Sequence, residues 1–142
     1  MKPIKVLFIC IHNSARSQMA EAFLKHLGGE RYAAFSAGLE PGKLNAYAIR
    51  VMQESGIDIS QNPTKDVFEL HRNGQSFDFV ITVCDAKNAE SCPVFPGKVQ
   101  KQAWWFDDPS NFSGNDEDKL IKTRVIRDEI KLAVQKFIAE TR

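Results

Sequence analysis

One short segment near the start of the chain places a nucleophilic residue type and a cation at close spacing. Cys10 is followed six residues later by Arg16, and the intervening residues are mostly small or polar: Ile11, His12, Asn13, Ser14 and Ala15. Between a strand and a helix, such a loop turns successive backbone N–H groups inward and binds a tetrahedral oxyanion. The Arg16 guanidinium would hold two of the oxygens in a bidentate fork that lysine cannot form. Residues 11–16 are therefore predicted to form an oxyanion-binding loop.

The same loop is expected to ionise the Cys10 thiol. An ordinary cysteine, with a pKa of ~8.5, is about 3% thiolate at pH 7, whereas a pKa of ~6.5 makes roughly three-quarters of it thiolate. That change needs ~2.7 kcal/mol, which amide dipoles, a helix N-terminus and a guanidinium can supply together. The Ser17 hydroxyl is a further donor to the sulfur, and Asn13 suits the left-handed backbone position that curls the loop. We therefore predict that Cys10 is a nucleophile; the alternative is a buried cysteine beside an ordinary surface arginine.

The elements around this loop alternate between strands and helices. The apolar pattern predicts strands over residues 4–10, 32–37, 77–84 and 102–106. The same pattern predicts helices over residues 17–27, 46–55, 65–70 and 118–141. Leu27 lies on the buried stripe of the first helix, and Asn45 is the N-cap of the second. We therefore expect an α/β fold, a single domain with a four-stranded parallel sheet flanked by helices on both faces. Ligands of such sheets bind outside the carboxyl ends of the strands, where Cys10 and Cys84 each lie; if their strands are neighbours, the two backbones are ~4.8 Å apart and the thiols can be brought together.

Composition and charge limit the classes of function. The chain has 142 residues, 43% of them hydrophobic and 26% charged, and its 19 Lys and Arg residues oppose 18 Asp and Glu residues, for a formal net charge of +1. This balance excludes the basic stripe that nucleic acid requires, and no apolar run reaches the ~18 residues of a membrane span. Three cysteines, an odd number, argue against a disulfide-stapled secreted fold. We expect a monomeric cytoplasmic protein that forms one domain over residues 1–142.

Several motifs together resemble a known family. Residues 6–21, VLFICIHNSARSQMAE, closely resemble the phosphate loop of the low-molecular-weight protein tyrosine phosphatase fold, and within that fold they are most similar to the arsenate reductases. The resemblance continues through Ser36-Ala37-Gly38, Gly56-Ile57-Asp58, Cys84-Asp85, Ser91-Cys92-Pro93, Trp105-Phe106-Asp107-Asp108-Pro109 and Arg127-Asp128-Glu129-Ile130. It implies a phosphatase-like fold over nearly the whole chain and the reduction of arsenate to arsenite, with phosphate and sulfate as analogues of the bound oxyanion.

Two further cysteines distinguish a reductase from a phosphatase. A phosphatase needs only water to release its oxyanion, whereas a reductase must also deliver two electrons and needs further thiols. Cys84 ends a predicted strand, and Cys92 lies eight residues later, before a stretch with prolines and a glycine. The resemblance implies that Cys10 forms an arsenic adduct, that Cys84 attacks Cys10 and releases arsenite, and that Cys92 moves the disulfide to the Cys84–Cys92 pair. Thioredoxin or another thiol carrier would reduce that disulfide.

The resemblance also assigns an acid and a cation site. The family's general acid directly precedes a proline, as Asp108 precedes Pro109, and Asp107 is the second choice. Some members of the family bind a potassium ion that steadies the phosphate loop. The matching residues here are all oxygen donors, as a hard cation requires: Asn13, Glu21, Ser36 and Asp66. Apart from this ion, no tightly bound cofactor is expected.

Three alternatives use the same residues. A phosphatase with incidental later cysteines would turn over phosphotyrosine and ignore substitutions at Cys84 and Cys92. Ser110, which stands where eukaryotic phosphatases of this fold carry tyrosine, disfavours that alternative. An oxyanion- or redox-sensing binding module would use the Cys84–Cys92 disulfide as its switch. A zinc site would combine these two cysteines with Cys10 and His12, but the chain has no Cys-X2-Cys pair and the loop arginine would place a cation beside the metal.

Overall fold

The computed structural model describes residues 2–83 and 95–141. Its sheet contains four strands: β1 (Ile4–Cys10), β2 (Tyr32–Gly38), β3 (Phe79–Thr82) and β4 (Gln100–Ala103). Their order is β2-β1-β3-β4, and every pairing is parallel. Cys10 lies opposite Gly38, and Ile9 lies opposite Thr82. The predicted four-stranded parallel sheet is confirmed, with β1 in its interior.

Helices cover both faces of this sheet, as predicted. They are α1 (Arg16–Gly28), α2 (Ala46–Glu54), α3 (Val67–Arg72) and α4 (Asp116–Glu140). Because side chains alternate along a strand, β1 contributes to two apolar clusters. One cluster joins α1, α2 and α4 to one face of β1 through Val6, Phe8 and Cys10. The other joins α3 to the opposite face through Leu7 and Ile9. The Cys10 side chain therefore lies on the same face of the sheet as α1 and α4.

The helices begin at local sequence signals. The Asn45 side chain accepts two backbone N–H groups and caps α2, as predicted. Asn115 and Asp118 form a capping box at the start of α4, which runs for 25 residues. Even so, none of the helices in the described ranges is both long enough and apolar enough to cross a membrane.

The predicted bounds of β4 and the predicted burial of Leu27 are wrong, and β3 and α3 each begin two residues later than predicted. β4 covers residues 100–103 instead of 102–106, because the Trp104 N–H makes the last hydrogen bond to β3 and the chain then leaves the sheet, with Trp105 67% exposed. Leu27 is 37% exposed instead of buried. At that end of α1, Gly28 packs so closely on the Tyr32 ring that an added Cβ would lie 2.6 Å from it. The ring fills the core side of the last turn, and Leu27 faces outward.

Candidate active site

The oxyanion-binding loop, residues 11–16, connects the carboxyl end of β1 to the first turn of α1, as the sequence predicts. Asn13 has a φ of 53°, the left-handed conformation expected for it. Ala15 caps α1 without a side-chain hydrogen bond, so its side chain leaves the N–H groups of the first turn uncovered. His12 Nδ1 lies 2.8 Å from the Glu40 carbonyl oxygen, on the outer side of the loop. This is the backbone arrangement of an anion site at a helix N-terminus.

The carbonyl groups of the loop are bound by a second segment. Backbone N–H groups of residues 39, 40, 42 and 45 donate to the carbonyl oxygens of residues 10, 11, 12 and 14, at 2.8 to 3.2 Å. Gly38 permits this close approach, since a Cβ there would lie 2.8 Å from both the Asn13 nitrogen and the Ile11 oxygen. These contacts fix the carbonyl side of the loop, and on its inner side the Asn13 N–H donates to Cys10 Sγ. Sequence reasoning missed this segment as part of the site, although its glycines were a visible signal.

The Cys10 sulfur lies inside the loop, and the residue is only 2% exposed. Cys10 Sγ accepts the backbone N–H of Asn13 at 3.1 Å and lies 2.8 Å from Ser17 Oγ. Asn13 Nδ2 in turn donates to Ser17 Oγ at 2.8 Å. Hydrogen-bond donors aimed at a sulfur favour its nucleophilic anion over the neutral thiol. The structure therefore brings together the three residues that the sequence assigns to the nucleophile and its surroundings.

Arg16 is held at the mouth of the loop by a segment far along the chain. Its Nη1 donates to the Phe106 carbonyl oxygen at 3.1 Å, and its Nη2 lies 3.4 Å from Asp108 Oδ2. The other oxygen of Asp108 accepts the Ser110 N–H at 2.9 Å and caps a short turn. The Asp108 carboxyl group thus has one oxygen fixed to the backbone and one facing the guanidinium. The structure places the predicted acid beside the predicted oxyanion-binding side chain.

A cavity of about 380 Å³ opens over these groups. Ile11 and Arg16 line it on the loop side, and Trp105, Asp107 and Asp108 line it on the opposite side. Both acid candidates therefore border the same space, but Asp108 contacts the guanidinium, whereas Asp107 is exposed at the rim. The volume is at the lower end of the usual range for ligand pockets, which suits a small oxyanion and the group that reacts with it.

Two of the four residues matched to a potassium site lie in direct contact. Ser36 Oγ donates to Glu21 Oε1 at 2.8 Å, and both residues are buried. Lys25 Nζ lies 3.0 Å from Glu21 Oε2, and Lys65 Nζ lies 3.6 Å from Glu21 Oε1. Two ammonium groups therefore already compensate the charge of this carboxylate.

The other two donors of that set are also engaged. Asn13 Oδ1 accepts the Lys65 N–H at 2.9 Å and the Gln18 side-chain amide at 3.0 Å. Asp66 Oδ1 accepts a backbone N–H at the start of α3, at 2.8 Å. A potassium site needs several oxygens directed at one cation. In this structure the oxygens of Asn13 and Glu21 instead contact N–H groups and lysine ammonium groups. The potassium ion therefore stays a prediction, and the described ranges contain no cluster of three His, Cys, Asp or Glu residues suited to a metal ion.

Cys84 and Cys92 lie outside the described residues, so the thiol relay and the zinc alternative stay predictions. The two strands are neighbours, the condition set for bringing Cys10 and Cys84 together, since β3 pairs with β1. The Val83 N–H donates to the Ile9 carbonyl oxygen at 2.8 Å, just before β1 ends. The residue that precedes Cys84 in sequence thus lies beside the strand that carries the nucleophile.

A cysteine and an arginine in an anion-binding loop, set between the first strand and first helix of a parallel sheet, define a class of phosphate-loop proteins. Over residues 5–142 the chain matches the family described as low molecular weight phosphotyrosine protein phosphatase, and it belongs to that family. It is similar to the arsenate reductase of Shouchella clausii (strain KSM-K16), with 42% identity over 137 residues, 96% of this chain and 95% of the relative. The resemblance inferred from the sequence is confirmed.

Solved structures give the same result. An arsenate reductase in the phosphate binding state matches with a TM-score of 0.75 and 32% identity, covering 98% of this chain and 99% of that chain. The thioredoxin-dependent arsenate reductase of Corynebacterium glutamicum matches with a TM-score of 0.74 and 30% identity, covering 99% of this chain and 64% of that chain. The phosphatase-like α/β fold predicted from the sequence is confirmed.

Proposed function

We propose that this protein reduces arsenate to arsenite, with Cys10 as the nucleophile and a thiol carrier as the source of electrons. The position of the Cys10 sulfur supports this most strongly: it receives the Asn13 N–H and lies against the Ser17 hydroxyl in an anion-binding loop. Arsenate is a tetrahedral oxyanion of the kind that such loops bind. The relatives compared above, at 30% identity or more, are arsenate reductases, which favours reduction over hydrolysis.

In the first step, the Cys10 thiolate attacks the arsenic atom. A sulfur–arsenic bond forms, an arsenic–oxygen bond breaks, and the departing hydroxyl group leaves as water after it gains a proton. Asp108 supplies this proton, a role supported by the position of its Oδ2 beside Arg16. Arg16 and the N–H groups of residues 11–16 balance the negative charge of the oxyanion.

The second step transfers the electrons. The Cys84 thiolate attacks the Cys10 sulfur, a Cys10–Cys84 disulfide forms, and the sulfur–arsenic bond breaks with its electron pair passing to arsenic. Arsenic is thereby reduced and leaves as arsenite. Cys92 then attacks Cys84, which releases the Cys10 thiolate and leaves a Cys84–Cys92 disulfide. Thioredoxin or another dithiol carrier reduces that disulfide and is itself oxidised.

The same loop should hydrolyse aryl phosphates slowly. A phosphate ester presents the same tetrahedral oxyanion, and water can take the place of Cys84 in clearing the Cys10 adduct. The contact between Arg16 and Asp108 favours this side activity, because it joins an oxyanion-binding group to an acid. A sensing module, the remaining alternative, would bind the oxyanion tightly without multiple turnovers.

We further infer that the protein acts as a monomer in the cytoplasm, where thiols are kept reduced, and that it needs no tightly bound cofactor. The resemblance assigns a potassium ion to the surroundings of Glu21. Lys25 and Lys65 already place positive charge at both oxygens of that carboxylate. The reaction is therefore expected to proceed without added potassium.

The test follows arsenate-dependent NADPH oxidation with thioredoxin and its reductase, in parallel with glutaredoxin and glutathione. Cys84→Ser should abolish arsenite formation but leave aryl-phosphate hydrolysis unchanged, because only electron transfer needs that thiol. Cys92→Ser should release one arsenite per protein and then stop as a Cys10–Cys84 disulfide, which peptide mass spectrometry detects. Full arsenate turnover by Cys84→Ser would refute the relay. Brisk phosphotyrosyl hydrolysis that ignores both substitutions would support a phosphatase instead.

A further inference from the structure

Gln18 is a polar residue of α1 that the mechanism above does not use, and it is fully buried, with 0% exposure. Its Nε2 donates to the Pro63 carbonyl oxygen at 3.0 Å and to Asn13 Oδ1 at 3.0 Å. Its Oε1 accepts from Asn62 Nδ2 at 3.2 Å. A carbonyl oxygen can only accept, so the Pro63 contact fixes which end of the Gln18 amide carries the N–H groups. The orientation of the Gln18 side chain is therefore determined by the backbone.

The Asn13 amide is oriented in the same way. Its Oδ1 accepts two hydrogen bonds, one from the Lys65 backbone N–H at 2.9 Å and one from Gln18. A backbone N–H can only donate, so the oxygen of the Asn13 amide must face Lys65. The opposite end of the amide, Nδ2, then faces Ser17 Oγ at 2.8 Å.

This orientation decides the direction of the hydrogen bond at the sulfur. Ser17 Oγ has one proton, and it already accepts from Asn13 Nδ2, a group that can only donate. The hydroxyl proton is therefore available for Cys10 Sγ, 2.8 Å away. If the Asn13 amide were reversed, its oxygen would compete for that proton and the sulfur would lose a donor.

We propose that Gln18 is a positioning residue that, together with the Lys65 backbone N–H, holds the Asn13 amide so that Ser17 donates to the Cys10 sulfur. The proposal rests on Cys10 being the nucleophile. It concerns only the sulfur's hydrogen bonds and not the later thiols or arsenate. A reactivity measurement at Cys10 therefore tests it separately from the reductase activity.

The test measures the rate of iodoacetamide alkylation of the Cys10 peptide from pH 5 to pH 9, resolved by mass spectrometry. Gln18→Met keeps the side-chain length but loses every hydrogen bond. Because the Lys65 N–H remains, we expect a partial effect: a rate lowered about threefold to tenfold at neutral pH, with the profile midpoint moved to higher pH. In a Ser17→Ala background, the same substitution should cause no further change. Gln53→Met, at an exposed position of α2, is the matched control and should leave the profile unchanged.

Three results would overturn the proposal. The first is an unchanged profile in a folded Gln18→Met protein, and the second is an equal shift with and without Ser17, since Gln18 would then act by another route. The third is a reversed Asn13 amide in the wild-type protein, which can be measured even if Gln18→Met fails to fold. In the wild-type protein, nuclear Overhauser contacts should join the Asn13 side-chain N–H protons to Ser17. Contacts from those protons to the Lys65 N–H would show the reversed amide.

Discussion

Replacing Asp108 with asparagine removes a transferable proton from the mouth of the loop and changes little else. Asp108 Oδ1 accepts the Ser110 N–H at 2.9 Å and caps the turn Pro109–Asn111. Asparagine caps about as well as aspartate, so the turn should persist. The other oxygen lies 3.4 Å from Arg16 Nη2. The substitution therefore separates acid catalysis from the shape of the site.

The expected loss of rate is much larger than the expected loss of stability. A positioned general acid contributes typically 10²- to 10⁴-fold, which corresponds to ~2.7–5.5 kcal/mol of barrier. The Arg16–Asp108 pair is a single contact at 3.4 Å, and Arg16 keeps its hydrogen bond to the Phe106 carbonyl oxygen. The free energy of unfolding should fall by about 1–2 kcal/mol, which leaves a typical domain folded. Partial unfolding could not then account for the lost rate.

The assay compares two aryl phosphates that differ in their leaving groups. Phenolate leaves poorly without a proton, whereas p-nitrophenolate leaves readily, so only the first reaction depends strongly on an acid. Asp108→Asn should lower kcat/KM, which reports the step in which the leaving group departs, by about 10²- to 10⁴-fold for phenyl phosphate and by much less for p-nitrophenyl phosphate. Asp107→Asn, at the rim of the same cavity, is the control. Equal losses for both leaving groups, or a larger loss in Asp107→Asn, would refute the role of Asp108.

Two further predictions concern charge. Wild-type arsenate turnover should be equal in potassium chloride and tetramethylammonium chloride at matched ionic strength. In Lys65→Met, turnover should become potassium-dependent, because Glu21 loses an ammonium group. A requirement of the wild-type protein for potassium would contradict this prediction. Hydrogen bonds from Arg124, and secondarily Arg127, lower the pKa of Glu54 from 4.5 to about 2. The stabilisation by these ion pairs is therefore complete above pH 4.5 and is lost as the pH falls towards 2. Because the Glu54 carboxylate is partly exposed, Glu54→Gln should lower the free energy of unfolding at pH 7 by no more than about 1 kcal/mol. Urea denaturation should show this difference shrinking below pH 4.5, and a constant difference down to pH 2.5 would contradict it.

Local patterns predicted most of the fold. β1 and the start of α1 depend on residues that are adjacent in sequence, so apolar periodicity and the spacing from Cys10 to Arg16 were sufficient. β4 was misplaced because its residues, Gln100-Lys101-Gln102-Ala103, form a largely exposed edge strand without an apolar pattern. The aromatic residues that follow it suggested a strand, but they leave the sheet, and Trp105 and Phe106 border the cavity over the site.

The amino-acid sequence by itself determined which groups could react: a cysteine, an arginine and a serine at the junction of one strand and one helix. Only the tertiary structure decided how those groups are aimed. The Phe106 carbonyl oxygen that holds Arg16 comes from a residue 90 positions away, and the Lys65 N–H that orients Asn13 comes from one 52 positions away. Both are backbone atoms, which every residue carries alike, so no side-chain pattern in the sequence could reveal them.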